Sequence, residues 1–217
     1  MEHIETLGRS QTQTLTTNRL IRNTYTLLAL TLAFSAAMAG VSILFQFPHF
    51  GLWSLPVYFV LLFLTSKFRN SGMGIVCVFA LTGFMGVTLG PILSFYLATP
   101  HGSQLVMQAL GVTAFVFFAL SAYALVSRKD FSFMGGFLFV GMLVAFLAGL
   151  AAYFFQMPAL SLAVSAAFVL ISSGLILYQT SAIVNGGETN YIMATVTLYV
   201  SLYNLFVSLL HLFSGND

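Results

Sequence analysis

Two runs of polar side chains recur at helical spacing in an otherwise apolar chain. Thr197, Ser201, Asn204, Ser208 and His211 are separated by four, three, four and three positions, which places all five on one face of a helix. Ser161, Ser165, Ser172 and Gln179 follow one another at four, seven and seven positions, again a single face. Polar groups in hydrocarbon are costly without partners, so both faces are expected to turn inward, toward each other. Hydroxyl, amide and imidazole groups so placed can do one of two things. They can hydrogen-bond helix to helix, worth about 0.6 kcal/mol per pair, or they can line a hydrated path for an ion. Neither stripe holds a carboxylate, which favours the first role without closing the second.

Other chemistry-bearing residues are few. Glu188 is the only acid between Asp130 and Asp217 and falls in the loop Asn185-Gly186-Gly187-Glu188-Thr189-Asn190, between the two striped segments. It is either a solvated loop acid or an acid at the mouth of a cation path. Gly83, Gly86 and Gly90 share a face and lead directly into Pro91. Glycines let helices approach closely, and Pro91 removes the bond its amide would give the Val87 carbonyl, predicting a kink at Gly90 and Pro91. Cys77 is the single cysteine, set in an apolar run, so no intramolecular disulfide forms. The serines lack a Gly-x-Ser-x-Gly setting, and no metal-ligand spacing or phosphate loop is present. An intramembrane serine protease built on His211 has little in its favour. Neither an enzyme, a cofactor nor a bound metal is expected. The candidate polar core or ion path is Gln179, Glu188, Ser201, Asn204 and His211.

The elements that must position these residues are spans of a membrane. Of 217 residues 59% are hydrophobic and 6% charged, and the mean hydropathy is +0.98, whereas soluble domains carry about 25% charged residues. Spanning takes about 20 apolar residues, and seven such stretches follow in order: Tyr25–Phe45, Leu52–Ser66, Gly74–Tyr96, Leu105–Val126, Phe133–Phe155, Leu160–Ile183 and Tyr191–Phe213. The second is the shortest. Backbone groups in lipid must be satisfied internally, and the alternation of a barrel is missing, so the fold class is all-α with seven transmembrane helices. The domains are a polar tail, residues 1–23, and one transmembrane domain, residues 24–217. The tail lacks a secretory signal pattern, so the first helix is retained. Arg9, Arg19, Arg22, Lys67, Arg69, Arg128 and Lys129 all fall on one side of a seven-span chain. The positive-inside rule makes that side cytoplasmic, with the N-terminus inside and the C-terminus in the periplasm. Seven basic residues scattered over short loops form no nucleic-acid surface; the one partner that composition demands is the lipid bilayer.

Several local stretches resemble a known family. Gly83-Phe84-Met85-Gly86-Val87-Thr88-Leu89-Gly90-Pro91 is similar to the Gly-Pro signature of the Bax inhibitor-1 (TMBIM) family. The run Leu198-Tyr199-Val200-Ser201-Leu202-Tyr203-Asn204-Leu205-Phe206 looks like its last-helix motif. Arg22-Asn23-Thr24-Tyr25, Ser127-Arg128-Lys129-Asp130 and Asn185-Gly186-Gly187-Glu188-Thr189-Asn190-Tyr191 resemble the YccA-like branch of bacterial inner-membrane proteins. The resemblance implies a bundle whose last helix is central. It implies, for the branch, a substrate and modulator of the membrane protease FtsH, for which the polar stretch Glu2–Thr17 would be a flexible cytoplasmic handle. It also implies, for the wider family, a calcium or monovalent-cation leak, here along the sixth and seventh helices. The family's pH-sensing aspartate pair is replaced by Gln179 and Ser201, so a di-aspartate proton switch does not transfer and conduction itself is put in doubt. His211 is the one stripe residue of a type that titrates near neutral pH.

Overall fold

The computed structural model describes residues 2–215, with side chains from residue 15 onward. Seven α-helices follow in order: α1 (Glu2–Leu44), α2 (Ser54–Lys67, entered through the 3-10 turn Gly51–Trp53), α3 (Gly72–Leu97), α4 (Gly102–Ser127), α5 (Met134–Phe154), α6 (Pro158–Asn185) and α7 (Tyr191–Ser214). No strand forms among the described residues. Six helices are long and apolar enough to cross a membrane; α2, with 14 residues, is shorter.

Most helix boundaries fall within three residues of the expected spans; the start of the first helix does not. The first helix begins not at Tyr25 but at Glu2, and runs unbroken for 43 residues. The stretch before Tyr25 contains no proline, so once the apolar segment has nucleated a helix nothing in it ends the hydrogen-bond ladder.

The last helix is the core of the bundle. α7 packs against α1, α2, α3, α4 and α6, and its Ala194, Leu198, Leu205 and Leu210 are fully buried. α5 lies outermost, leaning on α6 through Leu138, Ala145 and Ile171. The closest seam is α1 on α3, and the glycine face makes it. A Cβ on Gly86 would fall on the Ser35 carbonyl, and one on Gly90 on the Ser42 hydroxyl. Helix α3 continues through Pro91. The Val87 carbonyl that Pro91 cannot serve accepts a hydrogen bond from Ser42 Oγ at 2.8 Å, so α1 supplies the bond that proline removed.

Two turns away from the basic loops use the same device. Phe45-Gln46-Phe47-Pro48 closes α1 and Phe155-Gln156-Met157-Pro158 closes α5. In each the glutamine is left-handed, φ 50° and 51°. The next amide reaches back five residues, Phe47 to the Ser42 carbonyl and Met157 to Ala152, both at 3.0 Å. These are Schellman ends built without glycine.

Candidate functional site

At the end of the bundle away from the basic loops, α6 and α7 part around a polar chamber of about 290 Å³. Ser161 and Ser165 line it from α6, Asn204, Ser208 and His211 from α7, and Tyr96 from the last turn of α3. Ser165 Oγ and His211 Nδ1 are 2.8 Å apart, and the same hydroxyl lies 3.1 Å from the Ser161 carbonyl. Ser165 has one proton and two acceptors in reach. If the proton goes to the carbonyl, Nδ1–H donates to the hydroxyl; if it goes to the ring, the neutral imidazole carries its hydrogen on Nε2. Ser208 is 7% exposed; its hydroxyl, the Asn204 amide and the Ser161 hydroxyl have no protein partner among the described residues. No Asp, Glu, Lys or Arg lines the chamber.

The residues singled out from sequence divide into three places. Asn204 and His211 share the chamber. Ser201 is buried deeper and turns back on its own helix, donating to the Thr197 carbonyl at 2.8 Å. Gln179 is also deep, 5% exposed, and its Nε2 has no partner, as is true of Ser172 Oγ. Of the two facing stripes, one direct side-chain bond joins α6 to α7, from Ser165 to His211.

Glu188 lies at the opposite end and is committed locally. Its Oε1 accepts the amides of Thr189 at 2.8 Å and Asn190 at 2.7 Å. Asn190 then caps α7 by accepting from Ile192 and Met193, while its amide donates to the Arg69 carbonyl and to Asn70. Ser181 and Asn185 likewise donate to the Lys129 carbonyl at 2.9 and 3.2 Å. The end of α6 and the start of α7 thus fasten the two basic loops together.

Sequence reasoning passed over Tyr96, one aromatic among many, and Ser165, seen only as a member of a stripe. It also passed over the buried link from Ser35 to Tyr199, whose hydroxyl also reaches the Thr82 carbonyl at 3.3 Å. Nothing in spacing pairs residues so far apart. A second, apolar cleft of about 570 Å³ opens between α1 and α4, with Tyr199 and Tyr203 on its floor. Among the described residues, no three of His, Cys, Asp or Glu gather as metal ligands.

Fold and site together define a multi-pass α-helical membrane protein built round a central last helix, with a polar chamber beside it. The family described as Inhibitor of apoptosis-promoting Bax1 matches residues 17–217, and the chain belongs to it. It is similar to the Escherichia coli K12 protein named Modulator of FtsH protease YccA, 53% identical over 220 residues that take in the whole of both chains. The same protein of a second Escherichia coli strain is named an inner membrane protein. An uncharacterised Pseudomonas aeruginosa protein is 56% identical over 201 residues, 91% of this chain and 90% of the relative.

Proposed function

We propose that this protein is a non-enzymatic regulator in a bacterial inner membrane, a substrate and modulator of an FtsH-type membrane protease. The observation that carries this reading is the 53% identity to the YccA protein over the whole of both chains. The structure supports it in a second way. At 1.5 Å per residue, α1 runs about 65 Å, over twice the ~30 Å hydrocarbon core. The part before Leu15 continues beyond the apolar segment Leu15–Leu44, where a protease in the same membrane can reach it. We place that end in the cytoplasm because Arg19, Arg22, Lys67, Arg69, Arg128 and Lys129 gather there.

The test is turnover in cells with and without FtsH. Deleting residues 2–17 should leave a folded protein that is degraded several-fold more slowly only where FtsH is present. Equal half-lives for full-length and shortened chains would remove the reading of this segment as a handle. Degradation of a second FtsH substrate, measured with this protein absent and in excess, tests modulation. The leak reading would route ions through the chamber on α6 and α7, where no carboxylate is placed to bind calcium. Calcium and monovalent flux in proteoliposomes separates it from protease regulation.

A further inference from the structure

The chamber is not the only hollow at its end of the bundle. A vestibule of about 930 Å³ lies below the turn that follows α1, lined among others by Ser42, Gln46, His49, Pro91 and Ser94. Tyr96 lines both this vestibule and the chamber, so one residue borders the two hollows. Its main chain is held firmly. The Tyr96 carbonyl accepts from the Thr99 amide at 3.0 Å and the Thr99 hydroxyl at 2.7 Å, and a Cβ on Gly102 would fall on the same carbonyl. Its ring is buried, 9% exposed, and packs edge-on against Phe95, but no hydrogen bond holds the Tyr96 hydroxyl among the described residues.

We infer that the chamber is a binding site for water and small uncharged hydrogen-bonding solutes, entered from the vestibule, with Tyr96 as its door. Chamber chemistry sets the ligand class. Buried Ser208 and half-buried Ser161 and Asn204 offer both donors and acceptors without protein partners, and polar groups facing a hollow large enough for water are satisfied by it. A volume of 290 Å³ holds several waters at about 30 Å³ each. No carboxylate faces the space, so a dehydrated calcium ion, which takes 6–8 oxygen ligands usually including acids, is poorly matched. No Lys or Arg faces it either, so an anion is not matched. The inference does not rest on the protease reading, nor on conduction: a blind hydrated chamber and a conducting one are both reached this way.

Cysteine accessibility tests it in the full chain. Cys77→Ser removes the native thiol, and single cysteines follow at Ser94 in the vestibule, Ser208 in the chamber and Ser172 in the dry interior. Iodoacetamide, a small, uncharged, water-soluble thiol reagent, is applied to proteoliposomes, and the labelling rate is read by mass. The expected order is Ser94→Cys fastest, Ser208→Cys slower, and Ser172→Cys unreactive. Adding Tyr96→Ala should speed Ser208→Cys by roughly tenfold, the size of removing a local opening step, while leaving Ser94→Cys unchanged. Adding Tyr96→Trp, which keeps the ring in place should the alanine variant not fold, should slow Ser208→Cys instead. A Ser208→Cys rate no greater than that of Ser172→Cys would overturn the site, and a rate indifferent to both Tyr96 variants would overturn the door.

Discussion

Among single residues, the most informative is Ser42, because its hydroxyl serves a carbonyl on another helix that Pro91 has left without a donor. Ser42→Ala should lower thermal stability by about 1–2 kcal/mol, the cost of stranding a buried acceptor. In a Pro91→Ala background the amide at 91 can serve Val87 itself, so the same Ser42 change should cost less. Denaturation of the four proteins in detergent gives the coupling, expected at about 0.5 kcal/mol or more; strictly additive losses would mean Ser42 acts only by filling space. Gln179 is the reverse case. Its buried Nε2 has no partner, so Gln179→Met, near in volume, should be neutral or stabilising by about 1 kcal/mol. A clear loss in the same melt would reveal a partner. Pro91 announced in sequence that Val87 would be orphaned. It could not announce Ser42, which is 45 residues away and reaches Val87 only once α1 and α3 are packed.

For the elements, the glycine face of α3 sets how closely α1 can lie. Gly86→Leu should force the two helices apart at Ser35 and cost about 1–3 kcal/mol by overpacking. Gly111→Ala, with open space around its Cβ in the middle of α4, should gain about 0.5–1 kcal/mol. The comparison separates crowding from a general effect of losing glycine. The two Schellman turns give a prediction of opposite sign. Gln46→Gly and Gln156→Gly relieve left-handed backbone at φ 50° and 51° and should each stabilise by about 1 kcal/mol, seen as a higher midpoint in thermal unfolding. The spans were legible because long apolar runs end at Pro48, Pro100, Pro158 and Gly186. The true start of α1 was not, since hydropathy marks where a helix enters lipid and not where its hydrogen bonds begin.

The molecule as a whole gathers its basic loops at one end and its chamber at the other. Reporter fusions after Arg128 should therefore read cytoplasmic and fusions at Asp217 periplasmic; a cytoplasmic reading at Asp217 would mean an even number of crossings. Inward-facing stripes were legible from their spacing, and the chamber shared by Asn204 and His211 follows from them. How the stripes meet was not, because Ser201 satisfies itself on its own helix while Ser165 crosses to its neighbour, a choice made by side-chain packing. The short second helix has a consequence for the lipid itself. With its 3-10 turn α2 spans about 27 Å, from 1.5 Å per α-helical and 2 Å per 3-10 residue, beside helices of 21 residues or more. If α2 crosses with the others, hydrocarbon near it must thin by a few ångströms or flanking side chains such as Lys67 must snorkel, at a fraction of a kcal/mol per ångström. The protein thus carries an asymmetric hydrophobic belt, and bilayers of shorter-chain lipid should relieve the strain on its α2 side first.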